Sequence, residues 1–235
     1  MSGFWAIHRA LPREGPGDRT SLDWALRMAA VRPDAAICDA GCGPGADIPA
    51  LLAHVPRGRV HAVDAHAPFA GHVRARFAGD RRVTVEHGDM TALTGPFDFI
   101  WCAGAVYAVG IGAALPAFHR ALRPGGKAAF SHLCWLGEDR PPEAAAFWAE
   151  EYPAMPDIAG AAAEIALTGA RILGRTLVSP QGWEAYYTPL EARLDALEPD
   201  APDALADTIA AHRREIDVWR SHGDSFGYVL FLVAP

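Results

Sequence analysis

Apolar residues recur along this chain in two alternating rhythms. Between Thr20 and Val31, Leu22, Ala25, Leu26, Ala29 and Ala30 fall at helical spacing, which predicts an amphipathic helix stopped by Pro33. The preceding Leu11-Pro-Arg-Glu-Gly-Pro-Gly17 is expected to be irregular. Short apolar runs then follow at Ala35 to Ala40, Arg59 to Asp64, Val83 to Glu86, Phe97 to Cys102 and Lys127 to Leu133. Between them lie helix-like stretches near Ala46 to His54, after Asp64 and around Gly112 to Leu122. Strand, turn and helix in repetition predict an α/β fold, a doubly wound parallel sheet with crossover helices and strands buried on both faces. After Leu133 the regularity breaks. Pro141 to about Thr168 is alanine-rich and helical in pattern, Arg171 to Val178 reads as a sixth strand, Gln181 to His222 is mostly helical, and Phe226 to Val233 is a seventh strand.

Composition narrows the class without changing that picture. The 235 residues are 51% hydrophobic and carry a net charge of −7. A chain of this length buries roughly 70% of its unfolded surface, enough for a core without disulfides or a structural metal. Lys127 is the only lysine among 21 basic residues, and the arginines are scattered among 28 acids, so neither a nucleic-acid surface nor an anionic-membrane surface is expected. Cys38, Cys42, Cys102 and Cys134 form no CxxC pair and no zinc spacing, so no metal site is expected and a reduced compartment is. The N-terminal run meets charge and proline before any apolar stretch long enough for a signal peptide, and a cytoplasmic protein is expected.

The chemistry concentrates at strand ends. In Ile37-Cys-Asp-Ala-Gly-Cys-Gly-Pro-Gly-Ala-Asp47 an apolar strand closes on an acid and runs into three glycines before a helix, a turn able to present backbone amides to a ligand. Gly41, Gly43 and Ala46 satisfy the dinucleotide fingerprint, with Asp64 near the spacing of a ribose-binding acid, so an NAD(P)-dependent oxidoreductase is one reading. Against it, Asp39, Asp64 and Asp89 each close a strand and should line one sheet edge. A pyrophosphate would be repelled there, whereas a ligand with a ribose diol, an exocyclic amine and an ammonium group would use all three.

With Leu122-Arg-Pro-Gly-Gly126 before the fifth strand, these motifs make the sequence resemble a class I S-adenosylmethionine-dependent methyltransferase. The resemblance covers about Ala35 to His132 and implies a Rossmann-like sheet of seven strands, the last antiparallel, in one domain spanning 1–235. Residues 1–19 and the helical insertion 179–222 would cap the acceptor site. It implies S-adenosyl-L-methionine as cofactor and transfer of its methyl group to a small molecule. Gly41 and Gly43 would contact the methionine part, with Cys42 beside them, and Asp39 its ammonium. Asp64, followed by Ala65, would take the ribose hydroxyls, and Asp89 and Met90 the adenine. The flanks Leu11 to Gly17, Gly104-Ala-Val-Tyr-Ala-Val-Gly110 and Tyr186-Tyr-Thr-Pro-Leu-Glu191 resemble a small-molecule branch in which a Ser-Glu pair commonly stands where this chain has Cys102-Ala103. That departure keeps open a non-catalytic S-adenosylmethionine-binding protein.

Methyl transfer from a sulfonium needs alignment and exclusion of water, and a base only where the acceptor must lose a proton. Tyr107, His132 and His8 are the candidates, His132 foremost because Ser131-His132-Leu133 ends the fifth strand and is expected to face the acceptor. Trp5, Trp135, Trp148, Tyr152, Trp183, Tyr186, Tyr187 and Trp219 lie outside the sheet, and part of this set could form an apolar pocket for a small aromatic or cationic acceptor.

Overall fold

The computed structural model describes residues 3–235; Met1 and Ser2 of the expected N-terminal cap lie outside the described residues. All seven expected strands form: β1 (Ala36–Ala40), β2 (Arg59–Asp64), β3 (Val83–His87), β4 (Phe97–Cys102), β5 (Leu122–Trp135), β6 (Arg171–Leu177) and β7 (Phe226–Ala234). They make one sheet in the order β3-β2-β1-β4-β5-β7-β6. β1 to β5 pair in parallel, and β7 runs antiparallel to both β5 and β6. Strand order therefore reverses at β1, with β2 on one side and β4 on the other. The carboxyl ends of β1 and β4 open the crevice where ligands of such sheets bind.

Both sheet faces are covered, which explains why the central strands read as unbroken apolar runs. Successive residues of β1 alternate between two cores. Cys38 and Ala40 join Ile100, Phe130, Leu115 and Phe118, under α5 (Ile111–Ala121) and α7 (Ile158–Leu167). Ile37 joins Phe99, Trp101, Leu22, Leu26, Ile48 and Leu51, under α2 (Arg19–Met28) and α3 (Ile48–His54). The link after β2 is α4 (Ala67–Arg76).

A third core sits beyond the ends of β5 and β7. There Leu133, Trp135 and Phe226 meet Phe147 and Trp148 of α6 (Pro142–Glu151), Trp183 and Tyr187 of α8 (Pro180–Leu197), and Ile209 and Ile216 of α9 (Asp203–His222). Arg220 bridges Glu184 at 3.2 Å and Glu191 at 2.6 Å, pinning α9 to α8. Asp18 caps α2 through the Ser21 amide and also accepts a hydrogen bond from Ser179, the cap of α8, while the Gly17 amide donates to the Gly182 carbonyl. The irregular N-terminal segment is thereby tied to the insertion.

Two differences from expectation matter. A six-residue helix, α1 (Gly3–His8), packs on α8 and α9 where no helical pattern was legible. The Leu122 to Gly126 turn is part of β5, with a register shift opposite Phe97 and Phe99 and Gly125 at φ 79°.

Candidate active site

The loop after β1 is shaped by what its amides already do. Gly41 and Cys42 donate to the Val63 carbonyl at 2.8 and 3.0 Å, and Gly43 donates to Asp64 Oδ2 at 2.7 Å. The expectation that these amides face a ligand is therefore corrected: they are spent on β2, and an anion arriving here would find them engaged. Gly41 sits at φ 72°, and a Cβ there would lie 2.5 Å from Ala105 Cβ, so the loop after β4 closes directly on it.

A cavity of about 340 Å³ opens at this point. Asp39, Gly41, Cys42, Gly43, Asp64, Ala65, Met90 and Ala103 all line it. Asp89 does not. It stands exposed beside Met90, and its Oδ1 accepts the Thr91 amide at 2.7 Å to cap a short turn, which holds its carboxyl below the usual range. Arg13, Glu14, Asp47, His66 and Phe69, for which no signal was legible in the sequence, stand in the same lining, as does Trp5, which was expected over the acceptor. Trp5 stacks on His66 with centroids 3.5 Å apart and meets Phe69 edge-on, making an aromatic wall beside Asp64.

The cavity is electronegative. Asp39 is 3% exposed and its Oδ2 is buried without a partner. Burial, then the charges of Asp47 and Asp64, push its carboxyl well above the usual range, against a smaller pull from Arg13. Asp47 accepts from the Trp101 indole at 2.8 Å and has Arg13 at 3.9 Å. Asp64 accepts the His66 amide on Oδ1 at 2.8 Å as well as Gly43 on Oδ2, leaving one lone pair on each oxygen. Burial raises the Cys42 and Cys102 thiols, which fits the reading of both as small apolar residues and not nucleophiles.

A second cavity, of about 320 Å³, adjoins the first, and Phe4, Glu14, Gly15 and Tyr107 line both. Its remaining wall comes from α1, α6, α8, α9 and the ends of β5 and β7. Of the aromatic residues expected over the acceptor, Trp148, Tyr152, Trp183 and Tyr186 line it. Trp5 lines the first cavity, while Trp135, which ends β5 and so belongs to the sheet against expectation, packs with Tyr187 and Trp219 within the third core. Tyr107 is 55% exposed at the junction. His132 is placed differently from expectation. It is 2% exposed and outside the lining, because alternation along β5 turns the neighbouring Leu133 into the cavity. Its Nε2 meets Tyr152 Oη at 3.2 Å, its Nδ1 has no partner, and burial lowers its pKa to about 4.

The titratable groups that do reach the junction form a chain the sequence could not show. Glu14 Oε2 lies 2.7 Å from His8 Nδ1, His8 Nε2 lies 2.9 Å from His212 Nε2, and His212 Nδ1 lies 2.8 Å from the Thr208 carbonyl. A carbonyl only accepts, so His212 carries a proton on Nδ1, and burial lowers the ring's pKa, which favours the neutral form. His212 Nε2 is then an acceptor, so His8 donates to it from Nε2. One proton remains to be shared between Glu14 and His8 Nδ1. Removing it leaves a carboxylate facing an imidazole lone pair, a good proton acceptor. The Glu14 stem lies over the glycine loop, its Cγ 3.4 Å from where a Gly43 Cβ would be, so this pair bridges the two cavities.

Residues 37–126 match the family model of the methyltransferase domain. The malonyl-[acyl-carrier protein] O-methyltransferase of Pseudescherichia vulneris is 30% identical over 147 residues, which are 57% of this chain and 57% of that protein. The chain thus spans little more than half the length of this curated relative. The fold is shared with a SAM-dependent methyltransferase from Geobacter sulfurreducens solved with S-adenosyl-L-homocysteine, at TM-score 0.81, 20% identity, and coverage of 99% of this chain and 97% of that one. YjhP from E. coli superposes at TM-score 0.80 with 20% identity and 98% coverage of both chains.

Proposed function

We propose that this chain, whose residues 37–126 match the methyltransferase-domain model, transfers the methyl group of S-adenosylmethionine to a small-molecule acceptor. The observation that carries the reading is the pair of adjoining cavities, one acidic at the β1/β4 crevice and one aromatic, joined through Glu14 and Tyr107.

The residues present fit the cofactor. The buried, unpartnered Asp39 Oδ2 suits the ammonium of its methionine part, and the free lone pairs of Asp64 suit two ribose hydroxyls. The Trp5–His66 stack and Met90 offer an adenine-sized apolar surface, with Asp89 just outside. When bound, the sulfonium supplies an electrophilic methyl carbon. Arg13 is the one guanidinium in this lining among the described residues, and it suits the methionine carboxylate. Phe4 and Tyr107 flank the junction of the two cavities, and Glu14 with His8 can take a proton from the acceptor. That role passes to this pair from His132, which acts on the cavity only through Tyr152.

Two alternatives fare worse. A nicotinamide dinucleotide needs loop amides for its pyrophosphate, and Gly41, Cys42 and Gly43 give theirs to β2. A non-catalytic binding protein has no use for a proton acceptor between two cavities, and Glu14 supplies a carboxylate to the same lining that Ala103 joins without one. We read residues 3–19 and 179–222, together with α6, as the cover of the acceptor cavity. The four buried free thiols support a reducing, cytoplasmic setting, and no helix among the described residues is long and apolar enough to cross a membrane.

Calorimetric titration with S-adenosylhomocysteine and with NAD tests the reading. Binding of the former and silence with the latter is expected; the reverse pattern would overturn it.

A further inference from the structure

The second cavity has a chemical bias. Among the described residues its lining contains Glu14, Glu151 and Glu215 but no lysine or arginine, and its two imidazoles are tied into the chain with Glu14. Most of the remaining wall is aromatic. Those rings are fixed: Trp183 stacks on Trp219 at 5.4 Å, and Trp148 meets Phe147 edge-on at 4.9 Å. Ring faces held in place beside carboxylates attract a cation, and a cation desolvated there gains more than one in water. An anionic group would meet three carboxylates and no counter-charge.

We propose that this cavity takes a small primary or secondary amine in its cationic form, and that the Glu14–His8 pair receives the proton the amine loses before it is methylated. The inference rests on the methyl-donor reading above and names the acceptor class for that same site. Once the proton shared between Glu14 Oε2 and His8 Nδ1 has been released to solvent, the ammonium gives one N–H proton to the pair and refills that position. The freed nitrogen lone pair forms the new N–C bond as the sulfonium S–C bond breaks, and that bond's electron pair stays on sulfur. The products are a methylated ammonium and a neutral thioether, and the proton on Glu14–His8 passes to solvent.

Two further features agree. Burial and the charge of Glu151 hold the Glu215 carboxyl above its ordinary range, a penalty that a bound cation relieves. The Trp148 indole Nε1 is buried without a partner, and as a neutral donor it admits a hydroxyl or carbonyl oxygen on the occupant without altering the demand for positive charge.

The test holds shape constant and varies charge. Benzylamine, benzyl alcohol and benzoate are titrated calorimetrically into the S-adenosylhomocysteine complex of the full chain. Benzylamine is expected to bind at least tenfold more tightly than the alcohol, with benzoate weakest. Glu215→Gln, which keeps the acceptor for the Tyr187 hydroxyl, should weaken benzylamine about tenfold and leave S-adenosylhomocysteine affinity unchanged. With S-adenosylmethionine supplied, benzylamine should be methylated, and Glu14→Gln should lower turnover by about 10²–10⁴-fold while benzylamine binding persists. Equal or tighter binding of the alcohol or benzoate, or amine binding without methylation, would overturn the proposal. Failure of S-adenosylhomocysteine to bind at all would instead strike the methyl-donor reading, so the two failures are distinguishable.

Discussion

Asp39→Asn separates what this residue does for the fold from what it does for the ligand. In the folded protein its carboxyl is buried, unpartnered on Oδ2 and held well above the ordinary carboxylate value near 4 by burial and by Asp47 and Asp64. The folded state therefore binds this proton more tightly than the unfolded chain does. The contribution to stability is fully present below the unfolded pKa and is lost as pH rises through the folded one. Removing the charge should flatten that part of the profile, so the variant's thermal midpoint, relative to wild type, should rise steadily from pH 4 towards neutrality. Binding should move the other way. The ammonium of the donor would lose a buried charge partner, a change of about 2–5 kcal/mol, or roughly thirtyfold to several thousandfold in Kd. Differential scanning fluorimetry across pH and calorimetry with S-adenosylhomocysteine read the two effects separately. Parallel pH profiles, or a variant that binds within threefold of wild type, would refute this account of Asp39.

Other perturbations reach different parts of the site. Glu14→Gln should lower turnover by about 10²–10⁴-fold, the range for a lost general base, with S-adenosylhomocysteine affinity changed only a few fold by calorimetry. His132→Gln should leave turnover nearly intact. Because the folded-state pKa is lowered from 6.5 to about 4, wild type holds its full stability above 6.5 and loses about 3 kcal/mol as pH falls towards 4; the variant should lose less in urea titrations at pH 4.5. Gly41→Ala and Gly104→Ala both place alanine at positive φ, 72° and 69°, costing about 1–2 kcal/mol each. Only Gly41 adds a 2.5 Å collision with Ala105, worth roughly 1–3 kcal/mol more. Equal urea midpoints for the two variants would contradict that difference.

The strands were legible because each is short, apolar and buried on both faces, and because glycine or acid marks its end. That eight of the nine residues expected to contact a cofactor share one lining was legible for the same reason: strand ends of a parallel sheet converge. Three things were not. Whether His132 or Leu133 faces the cavity depends on a parity that a one-residue shift reverses, and nothing local in Ser131-His132-Leu133 fixes it. The loop amides are satisfied by Val63 and Asp64, partners about twenty residues downstream whose carbonyl and carboxylate geometry has no sequence signature. The Glu14–His8–His212 chain joins residues 204 apart, and its N-terminal member sits in a helix too short to show periodicity. The sequence marked the segment Leu11 to Gly17 as irregular; only its contact with His8 of α1, which packs on α8 and α9, turns its glutamate towards chemistry.

Charge supplies the last link between the two cavities. In the reaction proposed for them, positive charge begins on a sulfonium on one side of Glu14 and ends on an ammonium on the other. A site with carboxylates only around the donor would hold the charge back, since the transition state would move it away from its stabilising groups. Here Asp39, Asp47 and Asp64 stand on the donor side, Glu151 and Glu215 on the acceptor side, and Glu14 between them. Fixed anionic groups aimed at where charge develops are the form of stabilisation that acts on the transition state and not on the ground state alone. On this reasoning neutralising Glu215 lowers the rate through the acceptor side, neutralising Asp39 lowers donor binding, and Glu14 alone is required on both sides.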